Sequence, residues 1–244
     1  MKTSNKILLA TLILIMLVMA GIHFGLRSRL KNGQYTTTAN KGSGKDSIVI
    51  KPIRFVKIRN LDNVILVPAY AYRLEVEKNM PSYFKYSVSG DTLFVSGDTT
   101  GVASQNIDNR RKIYQEVSLH LPQMKLIEVE NSSLSVTGKT DSTQVGIIRL
   151  SLIGSRLSFN NHFHLNDSAE YLGDVFITAK KNSEIEFSAT TLNFRTLACR
   201  LDKSVFRDND MGNIQKFMVN SDDSSKVQLS GKNYKKLTVV PWQD

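Results

Sequence analysis

The chain has 244 residues, 41% hydrophobic and 22% charged, enough for one well-formed domain and a short accessory segment; five prolines and fourteen glycines are too few for a collagen-like or disordered chain. The single cysteine, Cys199, excludes an intrachain disulfide and a thiolate metal cluster, and in the alternating run Leu197-Ala-Cys199-Arg-Leu201 it reads as a small buried hydrophobe. The net charge is +10, yet nine Lys and Arg crowd between Arg27 and Arg59 against Asp46 alone, with no base-stacking aromatics, so a membrane-proximal linker is expected and a nucleic-acid partner is not.

Residues 1–6 form a short tail with Lys2 and Lys6. Residues 7–26, Ile7 to Leu26, are twenty positions without a formal charge. At about 1.5 Å rise per residue they cover roughly 30 Å, the thickness of a bilayer core. A transmembrane signal anchor is predicted. A cleaved signal is the alternative, but the stretch is longer than a signal-peptide core, no small-x-small site closes it, and Arg27, Arg29 and Lys31 follow directly. With a tail too short to hold a cytoplasmic module, the expected arrangement is a single-pass inner-membrane protein with its carboxy-terminal domain in the periplasm. Residues 27–46 are basic, small and polar, without apolar periodicity, and read as a flexible linker.

The domain, residues 47–244, opens with strand phrases. Ile48-Val-Ile50, Phe55-Val-Lys-Ile58, Val64-Ile-Leu-Val67 and Leu74-Glu-Val76 precede Phe84-Lys-Tyr86-Ser-Val88 and Thr92-Leu-Phe-Val95, which flank a hairpin turn at Ser89-Gly90-Asp91. A polar loop, 101–111, leads to Val117-Ser-Leu119-His120-Leu121. From Ile127 onward an apolar phrase returns every 20 to 25 residues, with first positions Ile127, Leu150, Val175, Leu197, Phe217 and Leu237. A second set comprises Leu134, Leu157, Ile185, Val205 and Val227, and the two arms are joined by Asn, Ser, Gly or Asp. A period in this range marks units that bury their apolar face only by stacking. The predicted fold is all-β, a parallel β-helix or β-solenoid in which each set forms an inward column, with an antiparallel β-sandwich as the alternative.

The order Ile48–Ile58, Val64–Val67, Leu74–Glu77, the hairpin Tyr86–Val95, Pro122-Gln-Met-Lys-Leu-Ile-Glu-Val129 and the Ser-x-apolar rungs resembles the head GIN domain family of auto-transporter adhesins, common in Bacteroidetes, over residues 48–244. The resemblance implies an exported β-solenoid from a family with no established reaction. It rests on the order and spacing of strand phrases, and the uninterrupted anchor and sparse corner glycines depart from the family's usual pattern.

No phosphate loop, nucleophile elbow or Cys/His pair is present, and no cofactor or metal is expected. The enzyme alternative is a polysaccharide lyase or hydrolase built on Asp202, Arg207, Asp208, Asp210, Asp222 and Asp223, which stacking would have to bring together on the outer face. Asp and Asn are also common corner residues, so a solvated loop is the simpler expectation. His162 and His164, with Asp167 and Glu170, lack a fixed third zinc ligand and read as a polar loop. Tyr70, Tyr72, Tyr83, Phe84 and Tyr86 could line a glycan or peptide groove, though core filling accounts for most of them. Trp242 reads as the cap of the open end. The expected role is therefore a membrane-tethered binding or scaffolding surface for an envelope glycan or protein, without catalysis.

Overall fold

The computed structural model describes residues 44–78, 84–97, 116–122, 126–139, 146–160, 169–187, 191–209, 212–229 and 231–239, together with Ile15, Met16 and Met19. The chain divides into two units, Met1–Ser43 and Gly44–Asp244. In the first, Ile15, Met16 and Met19 are helical and exposed; the rest of the predicted anchor lies outside the described residues. Among the described residues no helix is long and apolar enough to cross a membrane.

The second unit is all-β. Its strands are β1 (Lys45–Val49), β2 (Phe55–Arg59), β3 (Val64–Pro68), β4 (Arg73–Glu77), β5 (Phe84–Ser89), β6 (Thr92–Gly97), β7 (Val117–Leu121), β8 (Leu126–Glu130) and β9 (Ser133–Val136). They continue with β10 (Ile147–Ile153), β11 (Arg156–Phe159), β12 (Glu170–Lys180), β13 (Glu184–Phe187), β14 (Leu192–Leu201), β15 (Val205–Arg207), β16 (Asn213–Ser221), β17 (Lys226–Gln228) and β18 (Leu237–Val239). These form two nine-stranded sheets. Sheet A runs β1-β4-β7-β3-β9-β11-β13-β15-β17, and sheet B runs β18-β16-β14-β12-β10-β8-β2-β6-β5. Strand β1 begins at Lys45, inside the stretch assigned to the linker.

From β8 onward every step of the chain adds one strand to each sheet, and each new strand lies parallel to the one before it. Antiparallel pairing between named strands is confined to β1 with β4, β4 with β7, and β5 with β6, where Gly90 at φ 60° makes the predicted tight turn. An all-antiparallel sandwich is thus not what the pairing gives. The stack also reaches further back than Ile127. Strands β2 and β3 form a rung of their own, parallel to β8 and β9, and β6 and β7 lie parallel on its far side.

Strand periodicity places alternate side chains in the core. Val56, Ile127 and Leu150 are consecutive neighbours in the ladder and buried, as are Val64, Leu134, Leu157 and Ile185. Three positions of the predicted columns are corrected, one of them Val227, which neighbours Phe206 yet is 36% exposed at the end of the stack. Leu150 faces Ile177, and Val175 faces Ile148, a slip of two residues that keeps both Leu150 and Val175 inside. Val205 is a different case: Phe206 is the neighbour of Ile185 and is fully buried, while Val205 turns outward. The cause is the corner before it.

Four corners share one form, a residue with positive φ followed by a buried serine. Asn131 precedes Ser132, Gly154 precedes Ser155, Asn182 precedes Ser183 and Lys203 precedes Ser204. Only the left-handed backbone turns the chain that sharply, and Asn and Gly tolerate it best. Each serine then links rungs: Ser155 Oγ accepts the Ser132 N–H at 3.2 Å, Ser183 Oγ that of Ser155 at 3.2 Å, and Ser225 Oγ that of Ser204 at 3.1 Å. The Ser155 hydroxyl shares its one proton between the Ile153 and Val129 carbonyls. With the serine fixed, its second successor must face inward, which selects Leu134, Leu157, Ile185 and Phe206.

The core is aromatic in the middle. Phe159 and Phe187 stack at 5.1 Å, Phe194 meets both edge-on at 5.2 Å, and Phe206 joins Phe187 at 5.6 Å and Phe217 at 5.2 Å. Cys199 is buried as predicted and lies between Ile177 and Val219 in the ladder; burial pushes its thiol pKa far up, which leaves it inert.

Candidate functional site

On the outer face of sheet B the register sets Phe176 beside Ala198 and Ala198 beside Met218. Alternation decides this, because their neighbours Val175, Ile177, Leu197, Cys199, Phe217 and Val219 are the buried ones. Ala198 is short between two long side chains, so the face is recessed there. The depression has a volume of about 340 Å³ and is bordered by Thr178, Arg200 and Asn220. At one end Arg149, the neighbour of Phe176 on β10, holds its guanidinium 5.4 Å from the Phe176 ring centroid, within cation–π range.

Charge on this face is one-sided. Strands β10, β12, β14 and β16 carry Arg149, Lys180, Arg195, Arg200 and Lys216 against an outward Asp174, since Glu170 is buried. Asp174 is already matched: Arg195 binds it through two nitrogens and holds its carboxyl below the usual aspartate range. The face toward β8 and β2 differs, with Lys57 paired to Glu128 at 2.8 Å and Arg59 to Glu130 at 2.9 Å.

Of the described carboxylates singled out from the sequence, Asp202, Asp222 and Asp223 sit at adjacent corners, while Asp208 is buried. Asp208 points into the core, 2% exposed, where Asn233 Nδ2 donates to it at 2.8 Å. Its neighbour Arg207 faces outward and sits 3.6 Å from Glu184, which also takes Arg156 at 2.9 Å. Asp222 serves a corner: its carboxylate accepts the Lys203 N–H at 3.2 Å and the Ser225 hydroxyl, and these bonds lower its pKa. Asp202 is half-buried at the β14–β15 corner, Asp223 is exposed at the β16–β17 corner, and Asp210 lies outside the described residues. His162, His164, Asp167, Tyr83 and Trp242 also lie outside them. Glu170 is buried and accepts the Gly138 N–H at 2.9 Å, and among the described residues no group of His, Cys, Asp and Glu could hold a metal ion.

His120 faces outward as expected, within a polar cluster on sheet A. Its Nε2 lies 3.2 Å from Glu75, which also pairs with Arg73 at 3.0 Å. The His120 contact, ahead of the charges of Arg73 and Lys45, holds the Glu75 carboxyl below its ordinary range. Of the aromatics, Tyr72 and Phe84 pack against the core, Tyr86 is 6.2 Å from Phe84, and exposed Tyr70 carries the Lys139 ammonium 5.5 Å from its ring. A second hollow of about 350 Å³ opens nearby, lined by Leu66, Pro68, Leu121, Ile148, Tyr171 and Lys139. The groove on sheet B was missed in the sequence because it needs three residues on three strands in register. The cue that could have found it is the outward series Phe176, Ala198, Met218 within the repeat.

The chain matches no family model and no curated protein. Among solved structures it is similar to a Bacteroides fragilis protein described as a "putative adhesin", at 12% identity over 81% of this chain and 94% of that one, with a TM-score of 0.36. A Clostridium sporogenes "putative cell adhesion protein" gives 10% identity over 75% and 97%, with a TM-score of 0.32. A "putative lipid binding protein" of Parabacteroides distasonis gives 11% over 83% and 98%, with a TM-score of 0.26. At these scores the likenesses assign this chain no role.

Proposed function

We propose that residues 47–244 are a β-solenoid of the head GIN type, held by a signal anchor at residues 7–26 on the periplasmic side of the inner membrane, and that its outer flank binds an envelope component without chemistry. The observation that carries the binding reading is the recessed strip Phe176, Ala198, Met218 with basic residues beside it. Half-buried aromatic and apolar side chains set in a charged border are what a recognition surface offers. The inward Asp208 and the corner-bound Asp222 favour this reading over the hydrolase or lyase alternative, whose carboxylates would have to face one substrate.

The test is binding of the full chain in detergent to purified sacculi and to a glycan panel, with Ala198→Leu as the groove-filling variant. Binding that Ala198→Leu abolishes while the melting temperature stays put is the expected result. Turnover of any glycan, or binding that ignores Ala198→Leu, would overturn it. Membrane fractionation with amino-terminal sequencing checks the anchor: intact Met1 in the inner-membrane fraction is expected, and a new terminus beyond residue 26 contradicts it.

A further inference from the structure

We propose that the groove of sheet B takes a linear carboxylated glycan, a chain of uronate type, laid across the rungs. This rests on the binding role proposed above and names its ligand class. The floor is one aromatic ring, one methyl and one thioether. Such a floor suits the C–H face of a pyranose ring, which is apolar and flat, while the hydroxyl edges meet Thr178 and Asn220 at the border. Two cations adjoin that floor: Arg149 on β10 at its end, in register with Phe176, and Arg200 on β14 along its flank, in the row of Thr178 and Asn220. Neighbouring strands lie about 4.8 Å apart, so these two sit roughly 10 Å apart along the stack. That is close to two sugar units of an extended chain, each able to present a carboxylate. Lys216 on β16, in register with Thr196, stands on the opposite flank of the floor from Arg200.

Other anionic partners fit less well. A peptide adding itself as a strand needs an open sheet edge, but β12, β14 and β16 are each paired on both sides. Single-stranded nucleic acid needs successive stacking platforms, and the floor offers one ring, Phe176. A bilayer needs apolar side chains that protrude, whereas these are recessed and half-buried.

The experiment uses the full chain in detergent micelles, titrated by calorimetry with oligogalacturonate, a neutral glucan of equal length, oligoglutamate, single-stranded DNA and anionic lipid vesicles. The expected result is that oligogalacturonate alone binds at physiological salt and weakens as salt rises, because the cations are exposed. Phe176→Ala and Arg149→Ala each weaken it about tenfold, and Arg149→Lys recovers only part, since ammonium lacks the planar fork. Equal binding of the neutral glucan overturns the carboxylate assignment and leaves the groove's binding role standing, provided Ala198→Leu still blocks it. Preference for DNA, oligoglutamate or vesicles likewise overturns the glycan assignment. Oligogalacturonate binding that survives Ala198→Leu, with the fold confirmed by circular dichroism, overturns both proposals.

Discussion

Ser155 shows how much of this architecture hangs on single side chains. It is 5% exposed, accepts one N–H from the rung behind, has its own N–H taken by Ser183 in the rung ahead, and shares its one hydroxyl proton between two carbonyls. Alanine there strands the buried Ser132 N–H, and the expected loss is about 1–3 kcal/mol in urea unfolding. Ser158 differs, because its hydroxyl meets Ser135 at 2.8 Å on the half-buried outer face; alanine at that position is expected to cost less than about 1 kcal/mol, the value of a partly solvated bond. Asp208 and Asn233 are the second case. They hold a polar pair in a column otherwise filled by Val136, Phe159 and Phe187. A double-mutant cycle with Asp208→Leu and Asn233→Leu is predicted to give a coupling of about 1–3 kcal/mol, each single change harming more than its share of the pair, because either alone leaves a buried polar partner unsatisfied. Zero coupling would show that the two groups act separately.

At the level of strands, alternation breaks at the same place in three rungs. Leu172 and Val175, Phe194 and Leu197, and Ile214 and Phe217 are buried at spacings of three, with two residues between. Gly173 lies at this break, where an added Cβ would stand 2.1 Å from the Gly146 carbonyl oxygen. Gly173→Ala must therefore push backbone aside, and a loss of about 2 kcal/mol or more in thermal or urea unfolding is expected. Salt links between strands bring a pH dependence. The Glu75 and Asp174 carboxyls titrate below their ordinary values of 4.5 and 3.8 in the folded chain. Their contribution is thus complete above those values and is lost as pH falls through the lower folded ones. Glu75→Gln is expected to flatten the acid limb of a plot of urea midpoint against pH, and an unchanged limb would remove His120 and Arg73 from the account. Much of this was legible in the sequence: the strand phrases from Val64 to Val95, the hairpin at Gly90, and Leu134, Leu157 and Ile185 as one column follow from local pattern alone. Val205 was misplaced because two adjacent apolar residues, Val205 and Phe206, satisfy alternation equally, and only the corner serine picks between them. Asp208 was read as outward because composition cannot tell a loop aspartate from one that turns inward beside Asn233, which lies 25 residues later.

Across the whole domain, each rung touches chiefly the rungs beside it, so opening should spread from the ends. Hydrogen exchange is expected to be slowest in β10, β12 and β14, around the stacked Phe159, Phe187 and Phe194, and fastest in β17 and β18, whose Val227 and Val239 are exposed. Uniform protection along the stack would contradict that. The order in which rungs are laid down adds a constraint of its own. Strands β2 and β3 sit between β6 with β7 on one side and β8 with β9 on the other, so Leu61 meets Ser132 across 71 positions of chain. Ribosomal synthesis delivers these segments one after another, and until the eighth and ninth strands have been made, Val56, Ile58, Val64 and Leu66 have one flank bare. The amino-terminal third must wait, greasy side open, for a lid encoded some seventy codons downstream.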